Sequence, residues 1–201
     1  MPARPLQPVT LVGDHVCLEP LTPSHLGALA AVALDPDLWT WTVSRVQTRD
    51  DLAAYIQTAL DAQAAGTALP FVIVERRGGT VAGSTRYGNV ALEHGRLEIG
   101  WTWIGAPWQR TAVNTEAKRL LLRHAFETLG VRRVEFKTDA RNARSRRAIA
   151  ALGAQEEGTL RQHTVTASGF LRDTVYFSIL ADEWPAVDAR LAARLARYAD
   201  R

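Results

Sequence analysis

The sequence predicts a mixed α/β fold, a sheet with helices laid against it. Three observations carry this. The 201 residues are 47 % hydrophobic and 22 % charged, near the globular average and enough to bury a core unaided. Strand-like and helix-like stretches follow the order β-β-α-α-β-β-β-α-β-α-β-β-α, which lacks the regular alternation of a Rossmann or TIM arrangement. One strand-loop-helix unit (97–129) runs directly into another strand (131–139). Such a unit aims a strand end at a helix N-terminus, where free N–H groups and the helix dipole favour anions.

Residues before Val9 read as a Pro-rich tail. Val9–Val12 and His15–Leu21 read as short strands around the Gly13–Asp14 turn. Thr22 and Ser24 open a helix near Leu26–Leu34, ended by Asp35–Pro36. Asp37–Val43 has no clear period. Thr48 or Asp50 caps a second helix with Leu52, Tyr55, Ile56 and Leu60 on one face and Gly66 as its stop. Phe71–Glu75 and Thr80–Arg86 pair around Gly78–Gly79, and Leu97–Ile104 follows Gly95. A helix from Thr115 to Leu129 ends at Gly130. Val131–Asp139 is a strand, and Ala143–Leu152 a helix stopped by Gly153. Ala154–Arg161 and Leu171–Leu180 are the last strands. A helix follows Pro185, with Val187, Leu191 and Leu195 on one face.

Several classes are excluded or disfavoured. Cys17 is the lone cysteine, so no internal disulfide and no cysteine zinc cluster can form, and no metal is expected. Flanked by Val16 and Leu18, it reads as a buried strand thiol, and a cytoplasmic location fits. The N-terminal stretch lacks a signal peptide's apolar region, and no window approaches the ~18 apolar residues of a membrane span. A net charge of +3 is too small to mark a nucleic-acid binder, so neither nucleic acid nor membrane is an expected partner. Of 24 basic side chains only Lys118 and Lys137 are lysine. Arginine in that excess reflects genomic composition or a use in gripping phosphates.

The stretch 97–158 carries the signal. Gln109–Asn114 form a loop whose amides could cradle a pyrophosphate, with Arg110 adding charge. Without a Lys-Ser/Thr pair it is no Walker loop, and the residues alone leave a phosphate site and a plain connector both open.

Read together, EIGWTWI (98–104), QRTAVNTEAK (109–118), RVEFKTDARNARSRRAIAALGA (133–154) and RDTVYFSIL (172–180) resemble the GNAT superfamily of N-acetyltransferases. Within it they are most similar to the branch of bacterial ribosomal-protein alanine and serine N-terminal acetyltransferases. The resemblance covers about residues 9–185. It implies one acetyltransferase domain over 1–201, with 1–8 as a tail and 183–201 as a C-terminal helix. It implies a strongly twisted mixed sheet split into a V between strands 97–104 and 131–139. Acetyl-CoA would lie in the V, its pantetheine along Trp103 and Ile104 and its pyrophosphate on Gln109, Arg110, Thr111, Ala112, Val113, Asn114 and Thr115. The family's loop pattern is Arg/Gln-x-x-Gly-x-Gly/Ala. Gln109 matches it, while Ala112 stands for the middle glycine and must hold an ordinary φ. Asn114 stands for the last small residue and is expected to cap the helix at Thr115.

Asn142 matches the family's pantetheine-contacting asparagine, and Arg146 on the same helix is expected to bind acetyl-CoA with it. The tyrosine acid seven residues after that asparagine is replaced by Ile149. Ser145 matches the ribosomal-branch serine that would donate to the CoA sulfur. That branch's glutamate base falls on Thr164. Glu98 is the first substitute and His163 the second, because both can take a proton from an amine. A rise of kcat/KM near ~6.5 favours histidine. Trp39 and Trp41, in the loop between the first two helices, and Trp101 are expected to line the acceptor's entrance. Alternation places Trp101 and Trp103 on one strand face.

Arginines 132, 133, 141, 144, 146 and 147 form a patch that reads as a phosphate clamp, an RNA surface or a solvated face. The expected function is transfer of acetyl from acetyl-CoA to a primary amine, a small molecule or a protein N-terminus. Attack is direct, without a covalent enzyme intermediate. A succinyl-CoA or other acyl-CoA transferase and a catalytically silent acyl-CoA or RNA-binding protein are the alternatives. Packing of the C-terminal helix on its own domain or on a second subunit, giving a homodimer, is left open.

Overall fold

A computed structural model describes residues 5–199. Residues 1–4 of the expected tail and 200–201 after the C-terminal helix lie outside it. Eight strands form one sheet in the order β1-β2-β3-β4-β5-β6-β8-β7. They are β1 (Leu11–Val12), β2 (Val16–Pro20), β3 (Leu69–Glu75), β4 (Thr80–Ala91), β5 (Arg96–Ile104), β6 (Arg133–Asp139), β7 (Gln155–Val165) and β8 (Leu171–Leu180). Every neighbouring pair is antiparallel except β5 and β6.

The helices are α1 (Leu26–Ala33), α2 (Arg49–Ala64), α3 (Ala112–Arg123), α4 (Ala143–Leu152) and α5 (Trp184–Ala199). Thr48 caps α2 by accepting from Asp51 N, while the Asp51 carboxylate accepts from Thr48 N, a reciprocal box that explains the sharp start. The chain continues from α3 as a π-helical turn, His124–Leu129, and stops at Gly130, whose φ of 71° suits glycine.

Two apolar clusters sandwich the sheet. On one face α3, α4 and α5 bury Val113, Leu121, Leu122, Ile149, Leu152 and Leu191 against Leu97, Ile99, Val134 and Phe136. On the other, α1 and α2 bury Leu29, Leu52 and Ile56 against Val72, Val81 and Trp103. The C-terminal helix therefore packs on its own chain. Asp188 pairs with Arg119 and Arg123 of α3, and the Trp184 indole donates to Glu127. Cys17 is half-buried on β2, and burial raises its pKa.

Two expectations need correction. The helix after the loop starts at Ala112, three residues early. Thr111 is its cap, accepting from Val113 N while donating to Trp108 O. Asn114 is therefore a first-turn helical residue, and its half-buried side chain leaves Oδ1 without a partner. The strand expected over Thr80–Arg86 runs on to Ala91, because its second half pairs with β5.

Candidate functional site

The site begins where β5 and β6 part. They share only three register pairs, Arg96–Arg133, Leu97–Val134 and Glu98–Glu135. Beyond Glu98 they splay, and the β5 edge over 99–104 faces a gap. Parallel strands place their C-terminal ends together, so the loop leading to α3 and the turn leading to α4 meet at the mouth of this V. Gln109 ties them: its amide donates to Ile104 O at 2.9 Å, and its Oε1 accepts from Arg144 of α4 at 3.1 Å.

In the loop the left-handed residue is Arg110, with φ of 61°. Ala112 is helical, so the methyl that replaces glycine meets no forbidden backbone. Ala112, Val113 and Thr115 have buried side chains and can offer a ligand only backbone N–H groups. The first turn of α3 supplies such N–H groups, minus the one that Thr111 caps. Asn142 caps α4 by accepting from Ser145 N at 2.9 Å, and its Nδ2 makes no hydrogen bond among the described residues. The Ser145 hydroxyl is half-buried and makes no hydrogen bond among the described residues.

On the opposite face, toward α2, lies a cavity of about 710 Å³ bordered by β4, β5, β6 and Tyr176 of β8. Glu135 lines it from β6, and Glu98 of β5 stands behind the lining, against Asn89 and Lys137. Only 5 % exposed, its carboxylate accepts from Asn89 Nδ2 at 2.6 Å and pairs with Lys137 Nζ at 2.9 Å. Burial alone would lower the Lys137 pKa, but Glu98 and the Tyr176 hydroxyl outweigh it and hold the lysine charged. Lys137 Nζ also lies 4.6 Å from the Tyr176 ring centroid. The Tyr176 hydroxyl meets His163 Nε2 at 3.4 Å. The two base candidates are thus joined through Lys137 and Tyr176, neither of which the sequence reading placed in the site. Both lie in stretches that carry the resemblance, 133–154 and 172–180, and the scarcity of lysine is a further signal for Lys137.

Backbone irregularities aim two of these groups. Arg86 pairs with Gly100 and Ser84 with Trp103, so Trp101 and Thr102 together oppose Thr85 alone. Trp101, with φ of 50°, is in this bulge. Trp101 and Trp103 share a face as expected, and the bulge turns that face away from Leu97 and Ile99 to the side that Glu98 occupies. A second bulge, at Gln162 with φ of 48°, precedes His163 and is pinned by Asp173, which accepts from Gln162 N at 2.7 Å.

The aromatic candidates separate. Trp39 is buried under α1 and α2, donates its indole N–H to Ala33 O at 2.7 Å and packs on Trp103, so it forms core rather than entrance. Trp41 is half-buried with the Arg141 guanidinium 5.0 Å above its ring, and Phe170 of the β7–β8 loop sits 3.6 Å from the same group. The basic patch divides likewise. Arg133 pairs with Glu135 and Glu157, Arg141 with Asp139 and Arg146 with Glu156, while Arg144 turns to the loop through Gln109.

Residues 15–155 match the sequence model of the acetyltransferase (GNAT) domain. A curated relative, the uncharacterized N-acetyltransferase p20 of Bacillus licheniformis, is 31 % identical over 129 residues, 64 % of this chain and 71 % of its own. A crystal structure of a GCN5-related N-acetyltransferase from Brucella melitensis superposes with a TM-score of 0.87 at 31 % identity, covering 96 % of this chain and 88 % of that one. The fold is also that of Mycobacterium smegmatis RimJ in complex with CoA-disulfide, at a TM-score of 0.81 and 24 % identity over 93 % and 95 % of the two chains. This fold together with the family match over residues 15–155 makes the chain an acyltransferase. The chain belongs to the GNAT acetyltransferase family, whose members use acetyl-CoA. No described helix is long and apolar enough to cross a membrane.

Proposed function

We propose that this protein moves an acetyl group from acetyl-CoA to a primary amine, a small molecule or a protein N-terminus, by direct attack across the β5–β6 gap. One observation carries the reading: an unpaired strand edge with helix N-termini on one side of the sheet, and on the other a cavity with the buried Glu98 carboxylate set against two of its lining residues, Asn89 and Lys137.

On the first side, the 101–104 edge of β5 would pair with pantetheine as an added strand would. Gln109, Arg110, Thr111 and the N–H groups of Ala112–Thr115 would hold the pyrophosphate. Arg144 replaces Arg146 as the nearer α4 cation, since Arg146 is spent on Glu156. Asn142 offers Nδ2, and Ser145 offers its free hydroxyl to the departing sulfur.

On the second side, Glu98 takes the amine's proton, with Lys137 and Asn89 fixing its carboxylate. His163 is the second reading for this step, favoured by its contact with the cavity-lining Tyr176. Orientation and removal of a proton are all the reaction asks of the protein.

The test is CoA release with an amine panel, preceded by thermal titration. Acetyl-CoA at ~100 times its Kd should stabilise the fold by about 2.7 kcal/mol. Glu98→Gln should lower kcat by about 10²-fold while leaving that stabilisation intact. If Glu98→Gln keeps its rate and His163→Ala loses it, the base is His163. No stabilisation by acetyl-CoA would remove the transferase reading.

A further inference from the structure

The cavity on the α2 face carries four charged side chains, and three are matched. Lys137 pairs with Glu98 at 2.9 Å, Arg96 lies 3.7 Å from Glu135, and Glu135 also accepts from Arg133 at 3.0 Å. The fourth is Arg86 on β4. It is only 6 % exposed, yet its guanidinium has no ion pair and no hydrogen bond among the described residues. Its neighbours are aromatic, with the Tyr55 and Trp101 ring centroids each 5.1 Å from Cζ.

A guanidinium that borders a cavity without a partner is free to take an anion that enters it, and the nearly buried setting strengthens that pairing. Aromatic rings engage the face of the guanidinium and leave its N–H edge free. That edge is a planar fork that fits a carboxylate with two parallel bonds. Charge selects further: one unmatched positive charge, in a cavity that also holds Glu135, suits a singly charged anion better than a phosphate dianion.

We infer that the acceptor amine bears a carboxylate close by and that Arg86 binds it, making Arg86 a specificity-determining residue. The inference rests on the acceptor being bound in this cavity. Arg86 is two positions along β4 from Gly88, the register partner of Glu98, about 7 Å by strand rise. An amine beside Glu98 and a carboxylate on Arg86 are therefore within the span of one amino acid or a dipeptide. Free amino acids and peptides with an acidic residue next to the N-terminus present the same group, and both are covered.

The experiment uses product mimics, so turnover is not needed. With CoA bound, the full chain is titrated with N-acetylalanine against N-acetylalanine amide, and with N-acetyl-Ala-Asp-amide against N-acetyl-Ala-Asn-amide, by calorimetry. In at least one pair the carboxylate should bind tenfold or more tightly than its amide, and the pair that does so identifies the source. Arg86→Gln should abolish the preference and Arg86→Lys should retain part of it, both variants keeping the thermal response to acetyl-CoA. Equal affinity within both pairs in the wild type, or a preference that survives Arg86→Gln, overturns the inference. Failure of acetyl-CoA to stabilise the wild type instead strikes at the transferase reading beneath it, so the two failures are distinguishable.

Discussion

Of the two lysines, Lys137 is paired and Lys118 is not. Lys118 projects from α3 to the hydroxyls of Thr102 and Thr85 and has no carboxylate partner among the described residues, and burial lowers its pKa from 10.5 to about 7. Thr102 belongs to the β5 bulge, so this amine helps fix the strand that carries Trp101. The sign of its effect on stability follows from the two values. Between about pH 7 and 10.5 the unfolded chain holds a proton that the folded chain has released, so stability rises with pH across that window. Below about pH 7 the full penalty of burying the charge applies. Urea denaturation at pH 7 and pH 9 should show the wild type gaining stability relative to Lys118→Met, in which the term is absent. Parallel pH dependences would mean that the amine stays charged in the fold. The sequence singles out Lys118 only by scarcity, because its burial depends on threonines 16 and 33 residues away.

Bulges are the element-scale device of this site, and they mark the limit of what the chain reveals unaided. The order of strands and helices was legible from turns and stops such as Gly130 and Gly153, and the bounds of α4 were legible residue by residue. A bulge is a property of two paired strands, so nothing in EIGWTWI alone announces the reversal at Trp101. The start of α3 was misread for a related reason. Asn114 is a good cap by type, but the extended backbone that a cap requires falls at Thr111, where the loop from β5 ends. Arg86 reaches the cavity from a strand without a local motif, and Tyr176, though inside RDTVYFSIL, meets the site only through the pairing of β8 with β6 and β7. Gly88 makes the Trp101 placement testable. A Cβ there would stand 2.2 Å from the indole ring, so Gly88→Ala must displace Trp101 from its place over Arg86. Acceptor kcat/KM should fall about tenfold or more, while thermal stabilisation by acetyl-CoA persists. Unchanged acceptor kinetics would show that Trp101 does not shape the acceptor site.

For the whole molecule, the telling feature is how little sheet joins its halves. Strands β1–β5 and β6–β8–β7 share three register pairs, and past Glu98 they are held in relation by the helices on either face and by a few loop contacts such as Gln109 with Arg144 and Ala167 N–H with Val43 O. Backbone groups on the gap-facing edge of β5 are left to water or to a ligand, apart from Ile104 O, which Gln109 occupies. If pantetheine runs along that edge, bound acetyl-CoA completes hydrogen bonds the sheet leaves open and restrains the halves against each other. Amide hydrogen exchange distinguishes this from binding at the loop alone. Saturating acetyl-CoA should slow exchange within Gly100–Ile104 as well as in the first turn of α3, and adenosine 3′,5′-bisphosphate, which lacks the pantetheine arm, should leave the strand amides unprotected. Protection confined to the α3 turn would place the nucleotide but not the arm. The gap between β5 and β6 would then be a packing defect and not the channel through which donor and acceptor meet.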